Sequence, residues 1–134
     1  MFTFNKNFKR RDEIIFKDSR PNYAGGIIRV ELTEYQLDQL FEEKFIDPKG
    51  TQNYSPSNKE IYDFIRKSPI PFKALAYTVS PEREDYRVSL EGVTFTAKGY
   101  TEIYTKADLI HFFDTFKYAD ELKITEDILY AWYD

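Results

Sequence analysis

The sequence predicts a single α+β domain: a mainly antiparallel sheet of about five to seven strands, with about three helices packed on one side. Three observations lead there. At 134 residues the chain has the length of one domain, and its 24 aromatic residues, with the aliphatic ones, suffice for a core without disulfides. Segments of period two gather in consecutive runs joined by short turns, the arrangement of antiparallel strands. Helical segments are few and grouped rather than alternating one-for-one with strands, which argues against a doubly wound parallel sheet.

Residues 1–11 carry Lys6, Lys9, Arg10 and Arg11 with no acid, a net +4, so the remainder holds −8 of the chain's −4 total. Phe2 and Phe4 alternate with polar residues here. The segment reads as a basic edge strand, its lysines guarding the edge, or as a basic arm with rings interleaved for nucleic acid. Gly25-Gly26 then leads into a short strand over 27–32.

Thr33, followed three residues later by Gln36, forms a capping box, with Leu32 and Leu37 as its hydrophobic staple. Apolar residues at 37, 40, 41 and 45 give that helix one buried face, and Asp47-Pro48-Lys49-Gly50 stops it. Ser57 with Glu60 repeats the box, and Ile61, Phe64 and Ile65 make the stripe; Ser55-Pro56 offers a start two residues earlier. Ser68-Pro69-Ile70-Pro71 ends this helix. The third box is Thr105 with Asp108, and its stripe is Leu109, Phe112, Phe113 and Phe116 at i, i+3, i+4, i+7.

Between the second and third helices, residues 72–79 and 85–90 read as strands joined by a turn containing Pro81. Gly92 separates the next run, in which Val93, Phe95 and Ala97 alternate with Thr94 and Thr96, and Gly99 breaks that run before 100–104. Residues 122–124 and 128–133 form a closing hairpin around Thr125-Glu126-Asp127.

Function is read first from what is absent. Without cysteine there is no disulfide framework, thiolate nucleophile or Cys-based zinc or iron–sulfur site. Serine catalysis would need the lone His111 as base, with Ser55, Ser80 or Ser89 brought to it, and none of these sits in a Gly-x-Ser-x-Gly elbow. Carboxylate pairs Asp38/Glu42 and Asp108/Asp114 supply acid–base chemistry only if the fold closes a cleft around them. No Gly-x-Gly-x-x-Gly, Walker or Asp-x-Asp-x-Asp-Gly pattern occurs, so no cofactor and no metal is expected. The N-terminus lacks the apolar run of a signal peptide, and no window reaches 18 apolar residues; a cytoplasmic protein with no membrane association is expected.

What remains is surface chemistry. Acids cluster at Glu34, Asp38, Glu42, Glu43 and Asp47, and again at Asp120, Glu121, Glu126, Asp127 and Asp134. Such faces can steer a basic partner. In the last strand Tyr130 and Trp132 share one face with Ile128, while Leu129, Ala131 and Tyr133 share the other. Two apolar faces ask for cover on both sides, one from the protein's own helices and the other from further core packing or from a partner. Tyr130, Trp132 and Tyr133 are therefore the candidate partner-binding residues, the partner being another protein or a second copy in a homodimer. The expected function is that of a small non-enzymatic protein-binding or accessory protein, inhibitor- or immunity-like. The alternative is a nucleic-acid-associated protein using Lys6, Lys9, Arg10 and Arg11, and after it an enzyme with carboxylate-based chemistry; the sequence pI near 5.1 weighs against nucleic acid.

Overall fold

Three helix starts fall where the sequence places them, because each is sealed by its own side chains. The computed structural model describes residues 1–17, 19–99 and 103–134. At α2 (Glu34–Glu42) the Thr33 hydroxyl accepts from the Gln36 amide at 3.2 Å, while the Gln36 side chain accepts from Thr33 N–H at 2.9 Å. The same reciprocal box opens α3 (Asn58–Lys67) at Ser57/Glu60 and α4 (Lys106–Phe116) at Thr105/Asp108. Helix α2 ends earlier than the Asp47-Pro48 stop. Lys44 takes a left-handed conformation (φ 65°), and the Phe45 and Lys44 amides bond back to the Leu40 and Phe41 carbonyls at 2.9 and 3.2 Å. That is a Schellman closure with lysine where glycine is usual.

A fourth helix, α1 (Phe8–Phe16), replaces the expected basic edge strand or arm. Asn7 caps it by accepting from the Arg10 amide at 3.2 Å. Its buried residues are Arg11, Ile14 and Ile15, so a cation occupies a core position and obscures the helical period. The Gln36 side chain of α2 donates to the Ile14 and Ile15 carbonyls at 3.1 and 3.2 Å, satisfying the end of α1.

The five described strands are β1 (Ile27–Leu32), β2 (Lys73–Val79), β3 (Val88–Thr96), β4 (Glu121–Ile124) and β5 (Ile128–Trp132). They form one antiparallel sheet in the order β1-β2-β3-β5-β4. Together with the four described helices this is the expected α+β domain. One sheet face is the core face: Leu32, Ala74, Val93 and Ala131 lie in register across four strands and are fully buried. The helices bring an aromatic layer onto it. Phe72 and Phe112 stack at 5.4 Å, Phe64 meets Phe116 edge-on at 4.8 Å, and alanines beneath leave room for the rings. Phe113 is an exception to the expected α4 stripe. It is 44% exposed, as is Ile110 at 50%, because α4 is apolar around more of its circumference than the sheet covers.

Strand β3 is continuous through Gly92 rather than broken there. Leu75 pairs with Gly92 and Ala76 with Leu90, so Glu91 is an extra residue, a β-bulge. Gly92 has φ 153°, and a Cβ on it would lie 1.9 Å from the Ala131 carbonyl oxygen. At the bulge the Leu90 amide leaves the ladder and donates to the buried Asn58 side chain at 3.0 Å, fastening α3 to β3.

Two stability changes follow. Gly92→Ala should lower unfolding free energy by about 3 kcal/mol, since main chain rather than a flexible side chain blocks the new methyl. Lys44→Gly should raise it by about 0.5–1 kcal/mol by relieving the left-handed lysine. Urea unfolding of both variants tests the opposite signs.

Candidate protein-binding face

The sheet face opposite the helices carries the aromatic residues that alternation assigns to it. Strand register sets out its rows. Glu31, Leu75, Gly92, Trp132 and Glu121 form one row across all five strands. Lys73, Thr94, Tyr130 and Lys123 form the next row on one side, and Arg29, Tyr77 and Ser89 the row on the other. Gly92 contributes no side chain, and the bulge fills the gap with the Glu91 carboxylate.

That carboxylate is 3% exposed as a residue and is held on both oxygens. The Trp132 indole N–H donates to Oε2 at 3.1 Å, and the Arg29 guanidinium, itself largely exposed, reaches Oε1 at 3.4 Å. A buried charge needs such partners, and here they hold the indole by its polar edge while its ring stays half-buried. Tyr130 lies in the neighbouring row with the Lys123 ammonium 5.1 Å from its ring centre. Burial, with Glu121 and Glu91 nearby, pushes the Tyr130 phenol up from its ordinary value. At the far end, Gln52 donates to Tyr77 at 3.1 Å and to Ser89 at 2.8 Å, so the 47–57 loop closes the face there. Charges in these rows balance, Arg29, Lys73 and Lys123 against Glu31, Glu91 and Glu121, and Arg87, which donates to the Tyr77 hydroxyl at 2.7 Å, is paired with Asp85.

No family model, curated protein or solved structure matches this chain. Its chemistry must be read from its own residues.

The structure separates the candidate anchors. Tyr130 and Trp132 stand on the open face, but Tyr133 does not join them. It is 1% exposed, 6.5 Å from the Phe116 ring, with its amide bonded to the Glu91 carbonyl at 2.8 Å. One further residue along a strand reverses the side-chain direction, so Tyr133 belongs to the core. Glu91 was missed. A lone glycine inside a strand pattern marks a bulge, and that was the available cue for it.

The four N-terminal cations do not form a common surface. Arg10 makes a forked pair with Glu43 at 2.9 and 2.8 Å, and Lys6 sits 4.8 Å from the Tyr86 ring centre. Lys9 is exposed. Arg11 is fully buried: it donates to the Val79 carbonyl at 2.9 Å, to the Tyr23 hydroxyl at 2.9 Å and to Asp12 at 3.0 Å. The Tyr23 hydroxyl in turn donates to Asp12 at 2.7 Å. A cleft of about 760 Å³ opens beside this cluster, lined among others by Lys9, Asp12, Tyr23 and Glu82, but Asp12 and Tyr23 are already bonded to Arg11.

The structure assembles none of the candidate catalytic residues around a shared cleft among the described residues; each is bonded elsewhere, packed or exposed. His111 packs its ring 5.2 Å from Phe64, Ser55 bonds within its own loop, Ser89 accepts from Gln52, and the buried Ser80 hydroxyl has no partner among the described residues. Asp38 accepts from the Tyr62 hydroxyl while Glu42 is exposed; Asp108 belongs to its capping box while Asp114 is exposed. Among the described residues no three acidic or histidine side chains are grouped to hold a metal ion.

Burial raises the phenols of Tyr23 and Tyr62 to about 12 from 10.0. A raised folded value favours the folded state fully below the unfolded value, and that contribution disappears as pH climbs through the folded one. The denaturant midpoint should therefore fall between about pH 10 and about pH 12, and the fall should shrink in Tyr23→Phe.

Proposed function

We infer that this chain is a small, non-catalytic protein-binding module, acting as an inhibitor or accessory partner of another protein in the cytoplasm. Support comes from one observation: a sheet face without helices presents Trp132 and Tyr130 around the Glu91–Arg29 pair. Tryptophan and tyrosine are the side chains most often found as interface anchors, because they combine a large apolar ring with a polar edge. The balance of signs on the face fits a polypeptide surface that offers both charges and an apolar pocket for the indole. A phosphate backbone would call for an excess of cations, which this face lacks. The cytoplasmic setting accords with a chain free of cysteine, in which no described helix is long and apolar enough to cross a membrane.

Trp132 is the only tryptophan, so the proposed contact carries its own reporter. Once a captured polypeptide is identified and purified, titrating it should shift Trp132 emission to shorter wavelength. Trp132→Ala, checked by circular dichroism for an intact fold, should weaken the affinity about 30-fold, the roughly 2 kcal/mol of a hot-spot residue. Unchanged affinity in that variant, or recovery of nuclease-sensitive material instead of a protein, would refute the assignment.

A further inference from the structure

Among the described residues the sheet has two free edges, β1 and β4, and at β4 both charges of a self-complementary pair are unengaged by any ion pair. Among the same residues strand β4 is bonded to β5 on one side only. The Thr125 amide bonds to the Ile128 carbonyl at 2.9 Å, which fixes the alternation of the hairpin. Lys123 and Glu121 then bond inward to β5, and the N–H and C=O of Leu122 point to the open edge. A second β4 laid antiparallel about a two-fold axis at Leu122 would make both of those bonds reciprocally, Leu122 to Leu122. The same axis sets Glu121 of each copy opposite Lys123 of the other, both on the helix-free face. Any register one residue away would bring core-side residues opposite outward ones. Neither Glu121 nor Lys123 has an ion-pair partner among the described residues.

An apolar side chain at this edge points the same way: Ile124, on the core side of the sheet with Leu122, is 45% exposed, and a neighbouring copy continuing the sheet would cover it. The other free edge, β1, offers less, because its Arg29 is already held by Glu91.

We propose that this protein forms a two-fold dimer through β4, with Glu121–Lys123 pairs on the helix-free face of the joined sheet. The edge adjoins the proposed Trp132 contact, since Glu121 pairs with Trp132 and Lys123 with Tyr130, but the edge-to-edge pairing does not depend on that contact, and the mass measurement tests it alone. Light scattering and sedimentation over a dilution series should give a mass twice the 16.0 kDa of the chain. Glu121→Lys and Lys123→Glu should each halve that mass, since each places like charges opposite one another. The double variant carrying both changes should regain the dimer, and so should an equimolar mixture of the two single variants. Glu31→Lys on the β1 edge should leave the mass unchanged. Circular dichroism confirms that each variant is folded. A monomeric wild type, single variants that remain dimeric, a double variant that stays monomeric, or loss of the dimer in Glu31→Lys would each overturn the proposal.

Discussion

The extra residue in β3 is the constraint on which the rest of this molecule turns. An antiparallel ladder without it would keep Leu90 bonded to its neighbours and place no side chain over Gly92. With it, one amide is released to Asn58, one carbonyl receives the Tyr133 amide, and one carboxylate is set on the open face. The first ties helix α3 to the sheet, the second registers the end of the chain, and the third orients the only tryptophan. Glycine at 92 makes all three compatible, because main chain from β5 occupies the space a side chain would need.

The second organising group is the Arg11 guanidinium. It joins α1 to the end of β2 through the Val79 carbonyl and lies 4.7 Å from the ring centre of Tyr86, ahead of β3. Its charge is met by Asp12 and one further N–H by the Tyr23 hydroxyl, so part of the cost of burying it is offset locally. The N-terminal segment is pinned by the same neighbourhood, with the Asn5 amide on the Lys44 carbonyl and the Tyr86 hydroxyl on the Asn5 carbonyl. What reads as a basic tail is thereby drawn into the domain.

The legible features are those whose chemistry is local. A capping box is completed within four residues, so Thr33, Ser57 and Thr105 announce their helices without reference to the fold. Alternation in the last strand likewise separates Trp132 from Leu129. Features that depend on distant partners were not legible. Helix α1 hid because Arg11 stands where an apolar residue would mark the period, and its acceptor is 68 residues away. Phe113 fits its stripe by spacing, yet its exposure depends on how far the sheet extends under α4. Gly92 looked like a break because a bulge and a turn use the same residue, and only the approach of β5 distinguishes them. The Glu91 carboxylate reaches the helix-free face through that bulge alone.

The helix caps have a consequence for what this protein can hold. A helix start is a common resting place for phosphate or sulfate, because its first amides point outward unpaired and the dipole favours an anion. Here an amide in the first turn of each described helix already donates to a side chain: Asn7, Thr33, Ser57 and Thr105 serve in turn. In three of the four, an acidic residue also sits in the first turn and would repel an incoming anion. The architecture that makes these helices self-starting therefore also makes their ends poor seats for an anion.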